Sequence, residues 1–320
     1  MLQIDRRLVI IGGKGGVGRT TICAALALAL ARQGRRVLLA HVRTRQHVHR
    51  MLGCHELDEE IREVLPGLWA VNMNPQAALR ERGLMVLRFN AVYRAVMENR
   101  LVKYFLRAIP ALDEYSMLGK AWYHTTERLE DGSPRFDTVV FDGPATGHLV
   151  TMLRIPQVIV ETVPEGPLTV DARQVLELLQ DPRRTVMWIA TLAEEMAVSE
   201  AVDLHHRAVT DLHLAVDRVV VNALYPDDFD APELWAEIER LHAQDRSNMT
   251  ALLRSARTIH GRREINRGQL KQLQQQIPLP QVRIPHLFQS AVDPAGLLRI
   301  AQHLDVVEQQ PELLTEGTRS

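Results

Sequence analysis

The chain has 320 residues, 46% of them hydrophobic and 24% charged, which is enough for a globular protein with a sizeable core. Lys and Arg number 38 against 39 Asp and Glu, and no basic block stands out, so we expect no nucleic-acid partner. The longest apolar run, residues 22–31, is about half of what a bilayer span needs, so no stable membrane insertion is expected. The N-terminal segment lacks the pattern of a signal peptide, which predicts a cytoplasmic protein.

The two cysteines, Cys23 and Cys54, stand apart in the chain. They are too few for a disulfide framework, and no C-x-x-C pair is present to build a zinc site. We therefore expect no zinc, and any metal should be held by oxygen ligands.

Short apolar runs alternate with helical patterns along much of the chain. The first run, residues 8–11, ends in glycines, and the Ala- and Leu-rich stretch 20–33 predicts a helix that Gly34 ends. Further strands are predicted at residues 36–40, 138–141, 157–161, 185–190 and 218–221. This alternation predicts an α/β fold, with a mostly parallel sheet flanked by helices.

The alternation is interrupted between about residues 57 and 135. Apolar residues there recur at helical spacing, as in Leu84, Leu87 and Ala91, which predicts an α-helical insertion. The turn residues of 130–134 return the chain to the sheet, and the polar stretch 262–276 predicts an exposed helix. We expect one domain over residues 1–307 that includes this insertion, followed by a flexible tail at 308–320.

A phosphate-binding loop follows the first predicted strand. It consists of Gly13, Lys14, Gly15, Gly16, Val17, Gly18, Arg19 and Thr20, with Thr21 next in the helix. Glycines let backbone N–H groups surround phosphate oxygens, the helix N-terminus favours negative charge, and the Thr20 hydroxyl is a Mg²⁺ ligand of the right type. The alternative interpretation is a glycine-rich turn without a ligand.

The early lysine of the sequence KGGVG, Lys14, makes this loop similar to the deviant Walker A motif of SIMIBI-class P-loop NTPases. The chain is identified as a member of the ArsA and guided-entry (tail-anchored protein targeting) ATPase family within that class. The resemblance implies a P-loop NTPase fold, ATP and ADP as ligands, and Mg²⁺. It also implies a dimer in which Lys14 reaches the nucleotide of the partner subunit.

Residues 136–150, FDTVVFDGPATGHLV, resemble the D-x-x-P-T-G-H switch of this family. By resemblance, Asp142 holds Mg²⁺ through its water shell, and the switch comprises Gly143, Pro144, Thr146, Gly147 and His148. Asp142 could instead be a carboxylate that caps the next loop, and His148 a packing residue.

Two later positions match the family's nucleotide contacts. Asn222 corresponds to an asparagine that reads adenine, and Glu195 to a glutamate that holds nucleotide across the dimer. The first proline of the family's pattern around that glutamate is Ala193 here. The alternatives are an asparagine that makes a turn and a solvated loop acid.

Arginines occupy two positions where the family carries catalytic residues. Arg19 replaces the usual lysine of the phosphate loop, and its flat guanidinium sits differently against phosphates. Arg43 stands in the first switch, where an aspartate orients the attacking water. Loss of such a group typically slows a reaction by about 10²- to 10⁴-fold. The sequence therefore predicts nucleotide binding with weak or absent hydrolysis.

The predicted function is that of an ArsA-like ATPase, a hydrolase by family, acting as a nucleotide-bridged homodimer or as a heterodimer with an active paralogue. The alternatives are a non-enzymatic nucleotide-gated scaffold and a MinD- or ParA-like positioning ATPase. The inserted helices, which include Met85, Phe89 and Met117, could form either a groove for a hydrophobic helical client or ordinary core. Arsenite sensing would need clustered thiolates, which two separate cysteines do not supply.

Overall fold

The computed structural model describes residues 5–42, 48–74, 112–225, 236–237, 240 and 249–305. Its strands are β1 (Leu8–Gly13), β2 (Val37–Val42), β3 (Arg62–Leu65), β4 (Leu68–Met73), β5 (Thr138–Asp142), β6 (Thr185–Leu192), β7 (Val216–Leu224) and β8 (Gln281–Pro285). Its helices are α1 (Arg19–Arg32), α2 (Val48–Leu52), α3 (Leu112–Thr126), α4 (Thr146–Thr162), α5 (Pro167–Gln180), α6 (Glu195–Thr210), α7 (Met249–Gln276) and α8 (Pro294–Asp305).

The strands form one sheet of eight, in the order β3-β4-β2-β5-β1-β6-β7-β8. Every neighbouring pair is parallel except β3 and β4, which form an antiparallel pair at one edge. The central strand β1 has β5 on one side and β6 on the other. Loops that follow β1, β5 and β6 therefore meet at the same edge of the sheet.

Helices cover both faces of the sheet, as the predicted α/β class requires. Helices α1, α2 and α8 pack on one face around Val9, Ile11 and Trp188. On the other face, α3, α4, α5 and α6 pack around Leu8 and Ile10. Neighbouring residues of β1 thus point into two separate cores, which explains why its sequence is apolar without alternation. The predicted fold class is confirmed.

The strand predicted at residues 157–161 is wrong, because this stretch is the last part of α4, Thr146–Thr162. Its run of Val158, Ile159 and Val160 has the β-branched composition of a strand. The helix contains Pro156 in its interior, and its buried side chains recur every three or four residues, at Leu149, Leu153 and Ile159 among others. A short apolar run cannot be assigned by composition alone, and tertiary packing decided for the helix.

The predicted helical insertion is only partly helical. Strands β3 and β4 lie inside its predicted limits, where residues 62–65 and 68–73 form the antiparallel edge. Met117 of α3 is 1% exposed and belongs to the core. Leu84, Met85, Leu87, Phe89 and Ala91 lie outside the described residues, and the client groove stays a prediction.

Other local predictions agree with the structure. The turn at 130–134 is present, with Gly132 at a φ of 80° and a bridge between Arg128 and Pro134. The polar helix predicted at 262–276 is part of α7. Strand β8 was not predicted. Of the helices that the structure describes, none is both long and apolar enough to cross a membrane.

Candidate nucleotide-binding site

The phosphate loop joins the carboxyl end of β1 to the first turn of α1. Its conformation depends on glycine: Gly16 and Gly18 have φ angles of 88° and 92°, where other residues are strained. A Cβ at Gly13 would lie 2.2 Å from the carbonyl oxygen of Ala190 in β6. Gly15 has open space around the Cβ position. The loop is thus packed at its two ends and open in the middle, where phosphates would bind.

Thr20 and Asp142 meet directly beneath this loop. The Thr20 hydroxyl donates to Asp142 Oδ2 over 2.6 Å, and the two residues are 6% and 4% exposed. Burial raises the pKa of the Asp142 carboxyl, and the bonds from Thr20 and Cys23 and the charge of Arg19 oppose that rise. A hydroxyl and a carboxylate on neighbouring elements are the oxygen donors that Mg²⁺ prefers, so the residues fit the predicted ion.

The switch predicted after Asp142 forms the loop from β5 into α4. Gly143 is buried, and a Cβ there would lie 2.9 Å from Leu149 Cδ1 and 3.0 Å from the Ile11 carbonyl oxygen. Thr146 begins α4; it is 8% exposed, and its hydroxyl oxygen has no hydrogen-bond partner among the described residues. Gly147 and His148 are exposed, whereas Pro144 is half-buried.

Both cationic side chains of the phosphate loop contact protein groups. The Arg19 guanidinium donates through Nη1 to the carbonyl oxygen of Gly143. The Lys14 ammonium donates to Glu200 Oε1 on α6, in an ion pair whose side chains are about one-third exposed. No local sequence pattern predicts this role of Glu200, because 186 residues separate it from Lys14 and the packing of α6 brings the two together.

Asn222 of β7 contacts the phosphate loop itself. Its Nδ2 donates to the Val17 carbonyl oxygen over 2.9 Å, and its Oδ1 accepts from the amide of Ala223 over 2.9 Å. A Cβ at Gly18 would lie 2.3 Å from that Nδ2 atom. The asparagine predicted to read adenine therefore lies at the loop and holds the peptide that precedes Gly18.

The remaining predicted site residues are less close. Glu195 is the exposed first residue of α6, next to Glu194, which pairs with Arg262 over 3.6 Å. Thr21 follows Thr20 in α1, and its hydroxyl contacts the Met51 sulfur over 3.6 Å. Arg43 lies outside the described residues, so its predicted part in the first switch stays a prediction.

A further buried side chain next to this region escaped the sequence analysis. His41 of β2 is 2% exposed, and its Cα pairs with that of Asp142 across the sheet. Neither ring nitrogen has a partner among the residues that the structure describes. Burial lowers the pKa of His41 to about 4, so the ring is neutral at physiological pH.

A parallel sheet with a glycine loop between β1 and α1, and a threonine bonded to a strand-end aspartate, defines a P-loop nucleotide-binding protein. The family model of the anion-transporting ATPases, ArsA_ATPase, matches residues 6–165, half of the 320-residue chain. The chain belongs to this family.

Several curated proteins that are similar to this chain are named as ATPases. The ATPase BagA of Mycobacterium tuberculosis is 29% identical over 234 residues, which cover 71% of this chain and 68% of that protein. An arsenical pump-driving ATPase of Escherichia coli is 29% identical over 251 residues, 70% of this chain and 41% of the longer pump protein. The ATPase GET3 of Candida glabrata is 22% identical over 258 residues, 69% of this chain and 73% of that protein.

Proposed function

We propose that the protein binds ATP together with Mg²⁺ in the loop between β1 and α1. The observation that carries this proposal is the buried contact of Thr20 with Asp142 at the N-terminus of α1. The glycine loop would surround the phosphates with backbone N–H groups, and Thr20 and Asp142 would hold Mg²⁺. Bound Mg²⁺ supplies positive charge against the phosphate oxygens.

Hydrolysis is slow in this proposal. The Arg19 guanidinium donates to the Gly143 carbonyl oxygen. A lysine at this position would instead have an ammonium free to bind the terminal phosphates. Arg43, in the sequence of the first switch, supplies no carboxylate to orient water. Binding and turnover are therefore separable in this chain, with binding retained.

The protein acts as a nucleotide-bridged dimer in the cytoplasm, either with a second copy or with an active paralogue. The position of Lys14 supports the dimer. Its side chain is about one-third exposed, and its ion pair with Glu200 is weak because solvent screens it, so the lysine can leave Glu200 for a partner's nucleotide. A chain with impaired hydrolysis can still donate this lysine to a partner's nucleotide.

Calorimetric titration with Mg·ATP, alongside phosphate release at saturating ATP, tests the proposal. We expect affinity in the micromolar range with negligible phosphate release. Asp142→Asn should weaken binding at least tenfold in the presence of Mg²⁺ and much less in EDTA. Arg43→Asp serves as the comparison for turnover. Absence of ATP binding would overturn the proposal, and steady turnover by the unaltered chain would overturn its second part.

Light scattering on a size-exclusion column tests the dimer. With a non-hydrolysable ATP analogue, the mass should rise from one chain to two, and Lys14→Ala should prevent that rise while nucleotide affinity stays within about threefold. If the unaltered chain remains monomeric, the same measurement is made after mixing with an ArsA-like paralogue. A monomer in both cases would contradict the dimer.

A further inference from the structure

Arg19 connects the phosphate loop to the segment between β5 and α4. It is the first residue of α1, directly after the phosphate loop, and its Nη1 donates to the carbonyl oxygen of Gly143. Gly143 follows Asp142 and opens the loop that leads into α4. A lysine at this position would be expected to point at the phosphates, whereas this arginine joins the phosphate loop to the second switch.

The carbonyl that Arg19 contacts belongs to a residue that also touches β1 and α4. The Gly143 amide donates to the Ile11 carbonyl oxygen of β1 over 3.3 Å, and the neighbouring Asp142 is bonded to Thr20. Leu149 of α4 packs against Gly143, and a Cβ there would lie 2.9 Å from its Cδ1 atom. A change at the guanidinium would therefore act on the Gly143 carbonyl and, through the contact with Leu149, on the first turn of α4.

Donors remain available on both sides of this contact. Among the described residues, the bond to Gly143 is the one hydrogen bond of the Arg19 side chain, so the Nη2 and Nε donors can face an anion. Three residues after Gly143, the buried Thr146 hydroxyl has no partner among those residues and stands at the N-terminus of α4. Helix N-termini attract anions. Donors without a partner among the described residues are thus present on Arg19 and at the start of α4.

At this position a guanidinium can hold two acceptors at once, which an ammonium does poorly. Its donors are spread over three nitrogens in one rigid plane, so two acceptors on different edges can be held at once. An ammonium can bond both acceptors only when they approach a single nitrogen. A carbonyl on one edge of Arg19 and a phosphate oxygen on another fit the wider group.

We propose that Arg19 is a positioning residue that transmits occupancy of the phosphate site to the Gly143–Thr146 segment. Its guanidinium keeps the Gly143 carbonyl while a terminal phosphoryl group binds on the other edge of the fork. The phosphoryl group thereby draws Gly143 and the start of α4 toward the phosphate loop. This inference rests on the proposed nucleotide binding, and it assigns the arginine a coupling role beyond the expected loss of turnover.

Hydrogen exchange followed by mass spectrometry tests this role, on peptides that cover residues 142–153. The chain is measured without ligand, with Mg·ADP, and with a non-hydrolysable Mg·ATP analogue, as the unaltered protein and as Arg19→Lys and Arg19→Gln. Without ligand, we expect both variants to exchange at least fivefold faster in this segment. The ATP analogue should slow exchange a further fivefold or more over ADP in the unaltered chain. In Arg19→Lys it should give no such gain, although the analogue still binds.

Arg183→Lys is the matched control, because Arg183 is exposed after α5 and pairs with Asp181 over 3.3 Å. It should exchange as the unaltered chain does. Equal exchange of Arg19→Lys and the unaltered chain, without ligand and with the analogue, would overturn the inference. So would normal exchange combined with weakened binding, since Arg19 would then only bind phosphate. Calorimetry on the unaltered chain tests nucleotide binding separately, and the arm without ligand tests the Arg19 contact whether or not ATP binds.

Discussion

At the scale of a single residue, Asp142 has opposite effects on stability and on the proposed binding of Mg²⁺. Its carboxyl is buried beside Thr20 and Cys23, and burial raises its pKa above the ordinary 3.8. The folded chain therefore favours the protonated form more than the unfolded chain does. Stability from this group is present below the ordinary pKa and is lost as pH rises through the folded value. At neutral pH the charged carboxylate costs stability, and a bound cation would offset that cost.

Asp142→Asn should accordingly stabilise the protein without ligand. At pH 7 we expect the melting temperature of the variant to lie above that of the unaltered chain, because the amide brings no charge to bury. The difference should disappear at pH values below 3.8, where the carboxyl is protonated in both states. At one concentration, Mg·ATP should raise the melting temperature of the unaltered chain more than that of the variant. A variant less stable than the unaltered chain at pH 7 would contradict this account.

Burial of His41 should make the free energy of unfolding depend on pH in the acid range. The folded pKa is lowered to about 4 from 6.5, so the unfolded chain binds a proton at a pH where the folded chain does not. Stability from this residue is present above pH 6.5 and is lost as pH falls toward 4, by up to about 3 kcal/mol. His41→Leu should reduce the loss in the free energy of unfolding between pH 7 and 4 by that amount, measured with urea. His55→Leu, at an exposed position, is the control variant for the same measurement.

At the scale of the element, the phosphate loop depends on particular glycines rather than on glycine content. Gly18 combines a positive φ with close contact to Asn222, whereas Gly15 has neither constraint. Asn222 and Gly18 thus fix the point where the loop becomes α1. The loop is held by β7 as well as by its own backbone.

Gly18→Ala should destabilise the protein by about 1–3 kcal/mol, since strain from the positive φ adds to a displaced Asn222. Gly15→Ala should leave the free energy of unfolding within about 0.5 kcal/mol of the unaltered value. Urea unfolding of both variants without nucleotide gives the comparison. Equal destabilisation by the two substitutions would show that the contact with Asn222 does not matter.

At the scale of the whole molecule, the last described helix packs on the helix of the phosphate loop. Leu297, Ile300 and Leu304 of α8 are nearly or fully buried in the core that α1 shares. The sequence predicts one domain over residues 1–307, which stays a prediction, and the packing of α8 on α1 offers a way to test it. If the chain is one domain, α8 should unfold together with the nucleotide site.

Leu304→Ala should lower the free energy of unfolding by about 2–5 kcal/mol, as large-to-small changes in a core do. Circular dichroism and tryptophan fluorescence should report one coincident transition at a lower urea concentration. Leu168→Ala in α5, where the side chain is 38% exposed, should change stability far less. Two separate transitions in Leu304→Ala would show that α8 unfolds on its own and would contradict a single domain.

The sequence predicted those features whose determinants lie close together in the chain. Strands β1, β5, β6 and β7 are apolar and β-branched, and each ends in a loop. Thr20 and Asp142 belong to contiguous motifs. Strand β3 escaped prediction because Arg62 and Glu63 make half of it charged, as befits an edge. Glu200 and His41 escaped because their importance arises from tertiary packing, which no local pattern encodes.

The two outermost strands that the structure describes, β3 and β8, are poor templates for a further strand. β3 has four residues, with Arg62 and Glu63 exposed, and β8 has five, with Arg283 exposed and Pro285 at its end. Short length, charge and proline are the devices by which proteins prevent sheets from pairing edge to edge. Pairing of two copies through either of these two described edges is therefore disfavoured. A dimer that avoids these two edges can form and dissociate without leaving an open strand edge, the kind of surface that promotes aggregation.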